Sequence, residues 1–426
     1  MRTHLVLVPA RSILCTALAT LLLSPLSIAA QAPVSPATSL TGAAFSWVDK
    51  DTGHRVMRLT AEPGSEGLYF NENAFTSGGT QMIYTVGRNI YALDMTTYKS
   101  RKLEVDPISC LIVGKLTPTI YFMKVNDNGL YAMDVVSAQV REIAVLPKNA
   151  TISTLNADET LIAGTYVEGE VPKLPIDPNL KPSSVKANVM DERLAQHLPM
   201  VLFTFNLKTA EIRPVLHSTD WISHVQFSPK VPYLLMYCHE GLWWKVDRIW
   251  TIHTDGSHNQ LVHKRTINYE IAGHEFWDPD GKTIWYDLQV PRGQNFYLAS
   301  YNTDTAAREW YAVERDAWSI HFNAASDDSI FAGDGGDYAQ VAKSKNGQWI
   351  ELFSPRQSPV EPDSDQTGLV QSGFLKAEHL VNMAKQVYTL EPNVRFSPDN
   401  KLVIFNSNIF GPPFIFAVEV DKAQTP

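Results

Sequence analysis

The sequence predicts an all-β fold, a seven-bladed β-propeller made of four-stranded antiparallel blades. A turn phrase recurs along the chain, at the spacing of about 35–50 residues that suits one blade each. Aromatic residues make up 10% of the 426 residues, beside 26 Pro and 23 Gly, which favours short strands over long helices. The phrase is clearest at Phe227-Ser228-Pro229, Phe276-Trp277-Asp278-Pro279-Asp280-Gly281 and Phe396-Ser397-Pro398-Asp399-Asn400. Weaker copies stand at Phe75-Thr76-Ser77-Gly78-Gly79 and from Phe322 to Asp328. In each, Pro fixes φ while Asp and Gly accept tight-turn geometry, so the phrase closes a hairpin.

Blades are expected near 70–104, 108–144, 150–217, 222–264, 272–314, 319–353 and 391–422, within one domain spanning 44–422. Phe45 to Thr60 is expected to supply the outer strand that closes the ring onto the last blade. Val167 to Met200, rich in Pro, Lys and Asp, predicts a loop with a short helix. Pro355 to Lys376 predicts a second insertion, leading to a short helix at Ala377 to Lys385. Such insertions cross one face of a propeller and build sites there.

Residues 1–29 have the pattern of a secretory signal: Arg2 and Arg11, an apolar run to Leu26, then Ser27-Ile28-Ala29. A linker over 30–43 follows, and export to the periplasm is the expectation. Cys110 and Cys238 then remain, and their pairing is open; Cys238 is expected to be a small buried residue. The formal charge is −9, which disfavours nucleic acid and anionic membranes as partners.

His224, His274 and His321 precede successive turn phrases by three, two and one residues, which places them on innermost strands at one end of the channel. The segment from Cys238 to Trp250 adds His239, Glu240, Asp247, Arg248 and three tryptophans, a set suited to sugar rings and carboxylates. Glu391 and Asn393, expected two apart on one strand, would offer two oxygens beside the nitrogen of His321, a set that suits Mn²⁺ or another divalent cation. Gly333 to Asp337 resembles a calcium loop but lacks the EF-hand spacing, and reads as a hairpin turn. No nucleophile elbow, phosphate loop, zinc motif or HExxH is present.

Cys238-His239-Glu240-Gly241, Val246-Asp247-Arg248-Ile249-Trp250, Gly273-His274-Glu275-Phe276-Trp277 and the closing Phe-Ser-Pro-Asp phrase resemble the oligogalacturonate lyases, in order and spacing from about residue 45 to 420. The resemblance implies a seven-bladed propeller with Mn²⁺ at the channel mouth, acting on an acidic oligosaccharide by β-elimination. By position, His274 corresponds to the catalytic base, Arg248 to the arginine that assists it, and His321 to a metal ligand. The family's Gln-x-x-His-x-His pattern is replaced by Tyr388-Thr389-Leu390-Glu391-Pro392-Asn393, which leaves Glu391 and Asn393 as oxygen ligands. His224, His239, Trp243 and Tyr388 are expected to hold substrate. The competing reading is a non-enzymatic periplasmic propeller of the translocation-protein type, which leaves the cluster of His, Arg and Trp unexplained.

Overall fold

The computed structural model describes residues 45–174, 182–336, 348–359 and 368–423; the expected signal and linker lie outside them. Four antiparallel sheets of four consecutive strands come first, covering 65–103, 108–145, 151–218 and 222–261. They are called here units one to four. Units five (271–313) and six (319–382) share an eight-stranded sheet, and unit seven pairs Arg395–Phe396, Leu402–Ser407 and Phe414–Lys422 with the N-terminal strand His54–Arg58. That last pairing, with Val56 opposite Val418, joins an N-terminal strand to the last unit, as expected of Phe45 to Thr60.

Apolar side chains on the faces of each unit pack against the next. Ile83 and Leu93 of unit one meet Leu111 and Phe122 of unit two, and Ile404 and Ile415 of unit seven join the same cluster. Met236 and Ile249 of unit four meet Tyr286 and Leu288 of unit five, and Ile350 and Leu380 of unit six meet Phe405 and Phe416 of unit seven. The turn phrases also lock neighbouring units. Ser228 Oγ donates to the carbonyl of Gly281 at 2.6 Å, and a Cβ on Gly281 would lie 2.5 Å from Lys230. Asn400 and Ser326 exchange two hydrogen bonds in the same way between units seven and six.

The helix in the first insertion runs Pro182–Ala195, between the strands Leu161–Val167 and Met200–Asn206. Its Met190 packs with Trp221 and Leu242 of unit four, so the insertion lies over that unit. The second insertion differs from expectation. Trp349–Gln357 and Val370–Asn382 form a long hairpin, and no helix forms at 377–385. Lys376-Ala377-Glu378-His379-Leu380 favours helix locally, but the strand Val370–Asn382 is paired on both sides. It runs antiparallel to Trp349–Gln357 and parallel to Arg308–Val313, the outer edge of unit five. Satisfying that edge's backbone groups outweighs propensity.

Candidate active site

Units four, five and six each carry a histidine at a bulge of the first strand. The register shifts between Ser223 and Gln226, between Gly273 and Phe276, and between Ser319 and Phe322. His224 and His274 have φ of 46° and 47°, a left-handed conformation that costs energy outside glycine. A bulge inserts a residue and re-aims its side chain.

Each histidine meets a carboxylate from its own unit. His274 Nδ1 lies 2.8 Å from Asp287 Oδ1, His321 Nδ1 lies 2.8 Å from Asp334 Oδ2, and His224 Nε2 lies 3.1 Å from Glu240 Oε2. Asp287 and Asp334 are buried on the second strands of their units, each thirteen residues after its histidine. That equal spacing was legible in the sequence but not among the expected site residues. The rings of His274 and His321 meet edge to face, centroids 5.0 Å apart. Tyr69, also not anticipated, bridges units, its ring 5.3 Å from His321 and 5.9 Å from His224.

With Nδ1 of His321 committed to Asp334, Nε2 is the nitrogen left for a ligand. It is buried with no hydrogen-bond partner among the described residues, and Glu391 Oε2 lies 3.8 Å away. Asn393 Oδ1 is likewise buried and unpartnered among the described residues. Burial opposes the charged form of His321, yet Asp334 and then Glu391 outweigh it and raise its pKa. Asp334 Oδ2 also accepts from the backbone N–H of Asn393 at 2.9 Å, so one carboxylate anchors both candidate ligands. Glu391 and Asn393 do not sit on a strand as expected; the strand is Arg395–Phe396, and Asn393 has φ of 52°. This anchor, not strand alternation, ties Asn393 to His321, and Glu391 stands two residues before it. Nor is Asp334 in a hairpin turn: it belongs to the strand Phe331–Gly335, and Asp337 lies outside the described residues. Among the described residues no group of three His, Cys, Asp or Glu side chains is placed to hold a metal ion. The donor set is one imidazole, one carboxylate and one amide, which fits a cation whose remaining positions are filled by substrate or water.

Arg248 lies in a buried cluster behind His274. Its Nη1 donates to Glu240 Oε1 at 2.6 Å and its Nε to Glu275 Oε2 at 3.0 Å. Cys238 donates its thiol to Glu275 Oε1 at 2.7 Å, and Ser223 donates to Glu240 Oε2 at 2.9 Å. Burial alone would raise the pKa of Glu275, but Arg248 and then His224 outweigh it and bring it down to about 2. Glu240 is held well below the usual carboxylate range for the same reason, against its burial. Cys238 and Cys110 are both free and buried, as expected of Cys238. The Glu of each singled-out phrase therefore converges on Arg248; Glu240 was noted only as part of its segment, and Glu275 was not among the expected site residues.

Trp243 lines a recess with Ile271, Ala272, Gly273, His274 and Asp287. A Cβ on Gly273 would stand 3.3 Å from Asp287 Oδ1 and 3.6 Å from Trp243, so glycine lets these groups close up. His239 is not gathered with them. It follows Cys238 on the strand Leu234–His239, so its ring points to the other face, against Trp250 at 4.8 Å and toward Asp220 at 3.7 Å. Tyr388 is half-buried in the irregular segment three residues before Glu391.

Asp287→Asn preserves size but replaces an acceptor-only carboxylate with an amide whose NH₂ can face His274 Nδ1, so the proton is no longer fixed on that nitrogen. Such a change is expected to lower kcat by about 10²–10⁴-fold with a smaller effect on KM, read by steady-state kinetics.

A family model described as oligogalacturonate lyase matches residues 37–424. The oligogalacturonide lyase of Pectobacterium atrosepticum is 24% identical over 397 residues, covering 88% of this chain and 95% of the relative. The oligogalacturonate lyase of Dickeya dadantii is 24% identical over 400 residues, with the same coverage of 88% and 95%. Among solved structures, an oligogalacturonate lyase in complex with manganese matches with a TM-score of 0.72 at 21% identity, covering 91% of this chain and 99% of that one. The oligogalacturonate lyase from Vibrio parahaemolyticus matches with a TM-score of 0.71 at 20% identity, again covering 91% and 99%.

Proposed function

Since the chain belongs to the oligogalacturonate lyase family, we propose that it is a seven-bladed propeller that cleaves short oligogalacturonates by metal-assisted β-elimination. Four four-stranded sheets, an eight-stranded sheet that divides into two such units, and a five-stranded last sheet completed by N-terminal strands support the blade count. The observation that carries the chemistry is the His274–Asp287 pair at 2.8 Å, set against a second histidine whose Nε2 is buried without a hydrogen-bond partner among the described residues.

In an oligogalacturonate the C5 hydrogen is α to a carboxylate. His274 Nε2 takes that proton, while Asp287 holds Nδ1–H and stabilises the imidazolium that forms. The C5–H electrons become the C4–C5 double bond, the C4–O bond breaks, and the departing oxygen takes a proton from solvent. No water is consumed. A divalent cation such as Mn²⁺, held by His321 Nε2, Glu391 and Asn393, would neutralise charge developing on the substrate carboxylate. The manganese in a solved relative supports that choice of ion. Arg248 is 5% exposed and already shared by two glutamates, so its role is positioning: it fixes Glu275, the neighbour of His274, and Glu240, the partner of His224. Trp243 holds the sugar from the side of the recess, His224 holds it from its place beside Tyr69, and Tyr388 serves the approach near Glu391. His239, on the other face of its strand beside Trp250, takes no part.

Export to the periplasm rests on residues 1–29. Among the described residues no helix is long and apolar enough to cross a membrane.

The test follows ultraviolet absorbance of the conjugated product from di- and trigalacturonate, with Mn²⁺ and then with EDTA. A rise that EDTA abolishes is expected; no rise on either substrate sinks the reading. Asp334→Asn should weaken Mn²⁺ binding about 10–100-fold, measured by calorimetric titration, because it releases both His321 and Asn393.

A further inference from the structure

Beyond the recess, a group of side chains has no part in the reaction described. Trp244 follows Trp243, with ring centroids 6.5 Å apart, and Tyr269 lies 6.0 Å further from Trp244. The Arg292 guanidinium lies over the Trp244 ring at 5.0 Å, and the Lys186 ammonium over Trp243 at 5.8 Å. Both cations are exposed, and among the described residues neither has a carboxylate partner. A chain of net charge −9 thus holds beside its recess two cations that are unpaired among the described residues.

The loop carrying Tyr269 is held rigidly. Tyr269 is 60% exposed and has φ of 61°, a strained conformation for an aromatic residue. Beside it Glu270 is buried, accepting from the N–H groups of Thr266 and Ile267 and from the Thr266 hydroxyl. Glu270 also meets His263 Nε2 at 2.6 Å, and His263 Nδ1 in turn meets the Tyr286 hydroxyl at 3.1 Å. The Arg292 backbone N–H donates to the Tyr269 carbonyl at 2.8 Å, and Arg265 ties the same loop to Asp247 and to the Trp244 carbonyl. Two loops are therefore fixed to each other and to the tryptophans, with an aromatic ring and a guanidinium held out to solvent. Fixed geometry around an exposed, strained aromatic is a feature of binding sites. A guanidinium stacked on an indole keeps its in-plane N–H groups available for a carboxylate.

We propose that Arg292, Tyr269 and Trp244, continued to His274 through Trp243 and Lys186, form an accessory subsite for the carboxylate and ring face of a further uronyl unit. This rests on the uronide-lyase reading and adds to it a preference for chains longer than a dimer. The experiment compares kcat/KM on tri- and tetragalacturonate with that on digalacturonate, for wild type, Arg292→Gln and Tyr269→Ala. A charged hydrogen bond to the added carboxylate should favour the longer substrates by about tenfold or more in wild type. Both variants should bring that ratio close to one. The ratio is internal to each variant, so partial misfolding cancels. A wild type without chain-length preference, or an unchanged ratio in both variants, overturns the subsite. Failure of the parent reading looks different: no ultraviolet product from any galacturonate with wild type. In that event calorimetric titration of His274→Ala with the same oligomers decides the subsite. Tighter binding of the longer chains that Arg292→Gln removes supports it, and equal binding overturns it.

Discussion

His274→Ala is expected to cut turnover of digalacturonate by about 10²–10⁴-fold, the range for loss of a positioned general base. The imidazole is partly exposed, at 17% of its side-chain surface, and its hydrogen-bond partner among the described residues is Asp287. Its removal leaves the buried Asp287 carboxylate unpaired, which costs about 1–3 kcal/mol of stability. The double variant His274→Ala with Asp287→Ala separates the two effects. Because Asp287 acts through His274, the second substitution should add little further loss of rate, although it is severe alone. Equal, additive rate losses would assign Asp287 a direct role, and near-normal turnover in His274→Ala would remove the histidine from the mechanism.

Arg248→Met is expected to have the largest effect on stability. It leaves Glu240 and Glu275 buried without their cation, and breaking a buried pair in this way costs about 3–5 kcal/mol. Chemical denaturation should show the midpoint falling without a change of slope. Adding Glu240→Gln and Glu275→Gln removes the uncompensated charges and should recover most of that loss. Activity should not return, since His224 and the residue beside His274 are no longer held. The same cluster sets a pH dependence. Glu275 has its pKa lowered from 4.5 to about 2 in the folded chain, burial being outweighed by Arg248 and His224. Its contribution to stability is present above about pH 4.5 and is lost as pH falls toward 2. Wild type should therefore lose denaturation midpoint across that window more steeply than the Glu275→Gln variant. Parallel curves for the two proteins would show that Glu275 does not titrate with unfolding.

Local patterns made much of this molecule legible in advance. The turn phrases at Phe227, Phe276 and Phe396 marked hairpins because Pro, Asp and Gly dictate backbone geometry through their own chemistry. Their spacing gave unit boundaries that agree closely for units two to five. The repeat also exposed His224, His274 and His321, because equivalent positions in successive units face the same way. The hairpin of unit six was not legible. Residues 377–385 favour helix by composition, and only the unpaired edge of Arg308–Val313 turns them into strand.

What the sequence by itself determined was the all-β repeat, the histidine positions and the family, since each is written in short-range order and spacing. Tertiary structure alone decided the partners. The carboxylates that meet His274 and His321 come from second strands, and Glu240, Glu275 and Arg248 meet only because two units stack side by side. Asn393 reaches His321 through Asp334, a residue 59 positions away in the chain. The same stacking left Arg292 beside Trp244 with its charge unpaired among the described residues. Spacing along a strand fixes which face a residue occupies, whereas the charge or ring that meets it there is fixed by packing between units.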